Sequence, residues 1–171
     1  MFEDFDIEPF KKIKPPGDFT FDTMQEIKEL KKIPLNKEIV KKYDDATGAF
    51  DKTAKDHGVK DYDPNTAIDL ADNSRSKILE LKKYFNRPRP KVLAKKMNIK
   101  MKDYEMKSMN TPSYPSGHSA QSILIGLVLG DKHPRARNAF LQTAENISNS
   151  RNVAHAHYKS DSDMGKKLGV E

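Results

Sequence analysis

Apolar residues recur along most of this chain at spacings of three and four, the period of a helix with one buried stripe. Met24, Ile27 and Leu30 form the first stripe and predict a helix from about Asp22 to just before Pro34. Ile39, Val40, Tyr43, Thr47 and Phe50 form the second. Asn36 caps its start and Gly58 stops it, so one helix is expected between them. Asp63-Pro64 joins a cap to a proline at the first helical position, and the third helix runs to about Phe85, where Asn-Arg-Pro-Arg-Pro breaks it. Residues 87–115 are rich in Lys, Met and Asn and read as a long connection with a short helix near Val92 to Met97. Gly117 to about Leu129 is the most apolar helix. Another covers about Pro134 to Asn152, and a last short one begins near Asp161 with Met164 and Leu168. Residues 1–18, with Pro9, Pro15, Pro16 and Gly17, read as an irregular arm before a single helical domain over 19–171. No stretch keeps the two-residue alternation of a strand. The expected fold is all-α, a compact bundle of about five to seven helices.

Composition narrows the class. The chain has 171 residues, enough for one domain with a real core. Only 36% of them are apolar, so that core must be built from one stripe per helix. No window approaches the roughly 18 apolar residues of a membrane span. The N-terminus lacks the apolar stretch of a secretory signal, so the expected setting is cytoplasmic. With no cysteine there is neither a disulfide framework nor a thiolate metal site. The net charge is +6, from 31 Lys and Arg against 25 Asp and Glu. Such a surplus serves a polyanion or a few cations converging on a small anion. The basic residues are spread out and carry no nucleic-acid motif, which makes nucleic acid the weaker reading.

Two cations fall where apolar residues belong. Lys82 follows Ile68, Ala71, Arg75 and Ile78 on the third helix, and Arg151 follows Phe140, Ala144 and Ile147 on the fifth. Either could snorkel at a helix end. Both close their stripes at the C-terminal end, however, so both can point into one cleft and share an anion. His118 follows Ser116 and Gly117 at the start of the apolar helix, where free N–H groups and the dipole favour negative charge. His157 precedes Asp161 by four residues, a spacing that brings a carboxylate to one ring nitrogen on a helical turn.

In order, the chain reads Lys82-x6-Arg89-Pro90, then Pro115-Ser116-Gly117-His118, then Ser150-Arg151-x5-His157-x3-Asp161. This pattern resembles the tripartite signature of the phosphatidic acid phosphatase type 2 superfamily, and "SYPSGHSA" and "AHYKSDSD" look most like its class A non-specific acid phosphatases. The resemblance covers about residues 75–169 and implies an active site at helix ends. It implies His157 as nucleophile, Asp161 as its orienting carboxylate and His118 as general acid and then base. Lys82, Arg89, Ser116, Gly117 and Arg151 would hold the phosphoryl oxygens. No metal or other cofactor is expected, although phosphate or vanadate would occupy the site. The expected partner is a small phosphorylated substrate, with assembly into a homo-oligomer left open. A neutral His157 beside a protonated His118 predicts a bell-shaped rate profile on the acidic to neutral side.

Three positions depart from the pattern. His155 stands where the family usually has glycine and is expected to point to solvent. Lys159 replaces the usual proline or glutamine and could add a cation for a polyanionic substrate. Arg87-Pro88 imitates Arg89-Pro90 and suggests an auxiliary anion contact. The alternatives are a vanadate-dependent haloperoxidase, which shares the anion site, or a non-catalytic phosphate or nucleic-acid binder whose site has drifted.

Overall fold

Several helix starts in this protein are set by side-chain caps. In the computed structural model, which describes residues 2–171, Thr20 caps α2 (Phe21–Lys31) and Asn36 caps α3 (Lys37–Asp44). Asp63 caps α5 (Pro64–Phe85), and Ser116 caps α7 (Gly117–Lys132). Each of these side chains accepts from a backbone N–H that the first helical turn leaves free. The remaining helices are α1 (Glu8–Lys11), α4 (Ala46–Asp56), α6 (Pro90–Lys96), α8 (Arg137–Val153) and α9 (Lys159–Val170). Two short 3-10 turns cover Lys107–Asn110 and Pro134–Ala136, and no strand occurs among the described residues.

The fold is all-α, as expected, and the described residues form nine helices where about five to seven were expected. One extra helix arises because the segment after Asn36 breaks. Asp45 adopts extended backbone (φ −85°, ψ 92°) and its carboxylate accepts from Gly48 N, so one residue ends α3 and caps α4. The other is α1, inside the stretch read as an irregular arm. Ile7 and Phe10 are buried with Ile78, Leu81, Tyr114, Met164 and Leu168, so this segment covers one side of the bundle. The α5 stripe is rotated from expectation: Ala67, Leu70, Ser74, Ile78 and Leu81 face inward, whereas Ile68 is exposed.

Helix α7 is the central element and packs chiefly on α8, α9 and α5. Its close fit to α9 depends on two glycines. A Cβ at Gly165 would stand 2.5 Å from Ser116 O, and one at Gly169 would collide with Ala120 O. Small residues here let α9 lie against the N-terminal turn of α7. That contact joins the Ser116-Gly117-His118 turn to the segment carrying His157 and Asp161. Among the described residues no helix is long and apolar enough to cross a membrane.

Candidate active site

The C-terminal half of α5, the N-cap of α6, the turn at Lys107–Asn110 and the start of α7 meet the turn before α9 around a cleft of about 320 Å³; Arg151, near the end of α8, does not line it. Lys82, Arg89, Gly117, His118 and His157, far apart in sequence, all line it.

His157 is buried just ahead of α9, and its imidazole is held from two sides. Nδ1 lies 3.1 Å from Asp161 Oδ2, and Nε2 lies 2.8 Å from Arg89 Nη1. Arginine can only donate, so Nε2 must be the accepting nitrogen and Nδ1 carries the proton given to Asp161. The pair does not lie on a helical turn as its spacing suggested. Tyr158 is the N-cap residue of α9 and Asp161 its third helical residue, so the carboxylate folds back onto Tyr158 N at 3.1 Å. The same fold brings it to His157. Burial, followed by the positive charges of Arg89, Lys82 and Arg151, holds the His157 pKa well below the usual histidine value.

Asp161 is itself completely buried. Arg87 Nη1 donates to Oδ1 at 2.8 Å, and the Ser113 hydroxyl bonds to Oδ2. Burial pushes this carboxyl up to about 6, while Arg87, Ser113 and the Tyr158 amide pull it down. Arg87 also reaches Ser160 Oγ and Glu26 Oε2, at 2.8 and 3.0 Å, and its guanidinium stacks 3.7 Å from the Tyr158 ring centroid.

The cations are pre-positioned by backbone oxygens. Lys82 Nζ donates to Pro112 O at 2.7 Å. Arg89 spends all five N–H donors on protein acceptors: Thr111 O, Ala156 O, His157 Nε2, Ser108 O and Thr111 Oγ1. Burial and then the neighbouring Arg89 draw the Lys82 pKa down to about 7 against the opposing pull of Asp161, so cationic charge here is crowded. Arg151 Nη2 is buried with no partner among the described residues. Its Nη1 meets Asp44 Oδ1 at 3.2 Å, and Asp44 O lies 3.1 Å from His118 Nε2. His118 keeps 21% of its side-chain surface open, yet burial and Arg151 depress its pKa to about 4.

Gly117 has a role that packing does not explain. A Cβ there would make only ordinary contacts, 3.6 Å from Ile78 and 3.7 Å from Lys82. The protein could accommodate it, so what glycine keeps clear is the space above Lys82 and the adjoining amide.

Several sequence expectations need correction. Ser116 does not line the cleft; its buried hydroxyl accepts from Ser119 N as the α7 cap. Arg87 is not an auxiliary anion contact, because it points the other way and pairs with Asp161 and Glu26. Lys159 is exposed and pairs with Asp163 at 2.8 Å, away from the cleft. His155 does not face solvent. It is 4% exposed, with ring nitrogens 2.7 Å from Lys102 O and 2.6 Å from Ile33 O. Its φ of +55° accounts for a glycine preference at this position, and the two carbonyl contacts hold the less suited histidine there.

Sequence reasoning also passed over Asp44, Ser113 and Gln121. Ser113 lies inside the "SYPSGHSA" stretch, and Asp44 precedes the cap Asp45, so both were in view without a chemical signal. Only the fold turns Asp44 toward Arg151 and His118, and Ser113 toward Asp161.

A buried histidine–carboxylate pair facing clustered cations, on an all-α frame, defines a class, and the family comparison agrees. Residues 71–170 match the model of the PAP2 superfamily, and the chain belongs to that superfamily. Among curated proteins it is 36% identical over 89 residues to a non-specific acid phosphatase of Salmonella typhi. It is 35% identical over 89 residues to the non-specific acid phosphatase of Salmonella typhimurium. Each match covers 52% of this chain and 35% of the relative, so the chain spans about a third of the length of these enzymes.

Proposed function

We propose that this protein is a phosphatase that hydrolyses phosphomonoesters or diphosphates through a phosphohistidine, without a metal. The observation that carries this reading is His157, with Nδ1–H on Asp161 and the Nε2 lone pair turned toward Lys82 and Arg89 in the cleft. The similarity to enzymes named non-specific acid phosphatases supports it.

A phosphoryl group entering the cleft replaces Arg89 at Nε2 and takes hydrogen bonds from Lys82, Arg89, Arg151 and the Gly117 amide. Nε2 then forms a bond to phosphorus as the bond to the leaving oxygen breaks. His118 donates its proton to that oxygen, and Asp161 accepts the Nδ1–H of the His157 cation. In the second half, water attacks phosphorus, His118 takes a proton from it, and the P–N bond breaks. Fixed cations in a water-poor site stabilise charge on the equatorial oxygens in both steps. The same cations do the neutralising that a metal ion otherwise would and disfavour a divalent cation beside them. The carbonyl contacts of His155 turn that residue away from the chemistry, which removes the feature that favoured a drifted, non-catalytic site.

The test is a panel of p-nitrophenyl phosphate, other monoesters and diphosphates, run with EDTA and with vanadate. Hydrolysis that resists EDTA, is blocked by vanadate and is abolished mainly in kcat by His157→Ala is expected. Dependence on a divalent metal, or substantial turnover by His157→Ala, would refute the mechanism.

A further inference from the structure

The cleft has a second end that the phosphoryl chemistry leaves unused. Arg75 and Gln121 line it there, with the Ile78 and Leu79 side chains between them and the Lys82 end. Arg75 precedes Lys82 by seven residues on α5. Two turns put them on nearly the same face, about 10 Å apart along the axis. One helix therefore presents a buried lysine at the inner end of the cleft and an exposed arginine at its mouth.

The two mouth residues differ in how firmly they are held. Arg75 is 66% exposed, and its one carboxylate neighbour, Asp72, is 3.7 Å away, beyond hydrogen-bond reach. Among the described residues Arg75 donates no hydrogen bond. Gln121, by contrast, is fixed. Its Nε2 donates to Ala71 O at 2.9 Å and lies 3.5 Å from Ser74 Oγ, which leaves Oε1 as an oriented acceptor. A cation and a fixed acceptor thus stand at the mouth, joined to the Lys82 end by an apolar wall.

We propose that the preferred substrate is a compact phosphate ester whose leaving group carries a second oxyanion, a carboxylate or another phosphate, which Arg75 binds. This rests on the phosphatase reading above and names its substrate class. A hydroxyl along such a leaving group would donate to Gln121 Oε1. The volume of about 320 Å³ matches this size: once a phosphoryl group fills the inner end, only a small leaving group is enclosed.

The experiment compares kcat/KM for short ω-carboxyalkyl phosphates and ω-bisphosphates with alkyl phosphates of equal chain length. Wild type should favour the members with an anionic tail by about fivefold, the upper range for an exposed ion pair, and less at high salt. The preference should vanish in Arg75→Gln and invert in Arg75→Glu, both exposed replacements that leave the core intact. Equal rates within each pair, or a preference that survives Arg75→Gln, would overturn the proposal while leaving the phosphatase reading in place. Failure to hydrolyse every member and p-nitrophenyl phosphate as well would overturn the phosphatase reading and the subsite with it. A preference for carboxylate tails alone, or for phosphate tails alone, supports the subsite and identifies which oxyanion it takes.

Discussion

Replacing Arg87 separates two roles that look alike in sequence. Were it a phosphate ligand, its loss would weaken anion binding and leave the fold largely untouched. In the structure it is 1% exposed and bridges Asp161, Ser160 and Glu26 from behind the nucleophile. Arg87→Met would leave Asp161 buried without its counter-ion, and breaking such a pair from one side costs about 3–5 kcal/mol. For a chain of this length each kcal/mol lowers Tm by about 2–4 °C, so a drop of roughly 6–20 °C is expected by calorimetry. Arg87→Lys keeps the charge but not the planar fork that meets three acceptors, and should fall between the two.

Kinetics give the sharper signature. Asp161 sits near 6 partly because Arg87 pulls it down against burial, so loss of Arg87 raises that value further. The carboxylate that orients His157 then exists only at higher pH, and the acidic limb of kcat/KM must move to higher pH. A displacement of His157 by about 1 Å would cost about a hundredfold in kcat. The inhibition constant for vanadate should hardly change, because Arg87 does not line the cleft. A large rise in that constant, with kcat and the acidic limb unmoved, would refute this assignment and return Arg87 to the anion.

Three further outcomes follow from the geometry. A bound dianion offsets the burial and the Arg151 charge that hold His118 near 4, so its pKa rises on binding. Vanadate or phosphate binding at a pH just below the ordinary histidine value of about 6.5 should take up protons, measured by calorimetry in buffers of different ionisation enthalpy; zero uptake would count against His118 as the acid. Asp44→Asn removes the carboxylate paired with Arg151, so the vanadate inhibition constant should fall, by up to about fivefold for a half-exposed pair; weaker inhibition would show that Asp44 positions the arginine instead. Gly165→Ala forces a methyl against Ser116 O and should lower stability by about 1–3 kcal/mol with a matching fall in Tm; an unchanged Tm would mean that α9 shifts freely along α7.

Much of the frame was legible because helix signals are local. A cap such as Asn36 or Asp63 acts on amides two or three residues away, and Phe140, Ala144, Ile147 and Arg151 share a face wherever the helix lies. The break at Asp45 and the helix at Glu8 were less legible. The first depends on a single side chain choosing cap over helix, and the second on apolar partners from α5 and α9 that are distant in sequence.

By itself the sequence determined the helical class and the approximate elements, and the resemblance of its three blocks to a known signature picked out Lys82, Arg89, Gly117, His118 and His157, which the fold brings to one cleft. The class and the elements follow from periodicity and spacing, which the order of residues specifies directly. Only the tertiary structure decided which way each side chain points. It turned Arg87 to Asp161 instead of the anion, kept Ser116 as a cap, buried His155 between two carbonyls, and brought Asp44 to Arg151 and Arg75 to the mouth of the cleft. The physical reason is that a cap or a stripe is set by neighbours along one helix. Charge pairing, desolvation and access to the cleft depend on surfaces from several helices and the loops joining them.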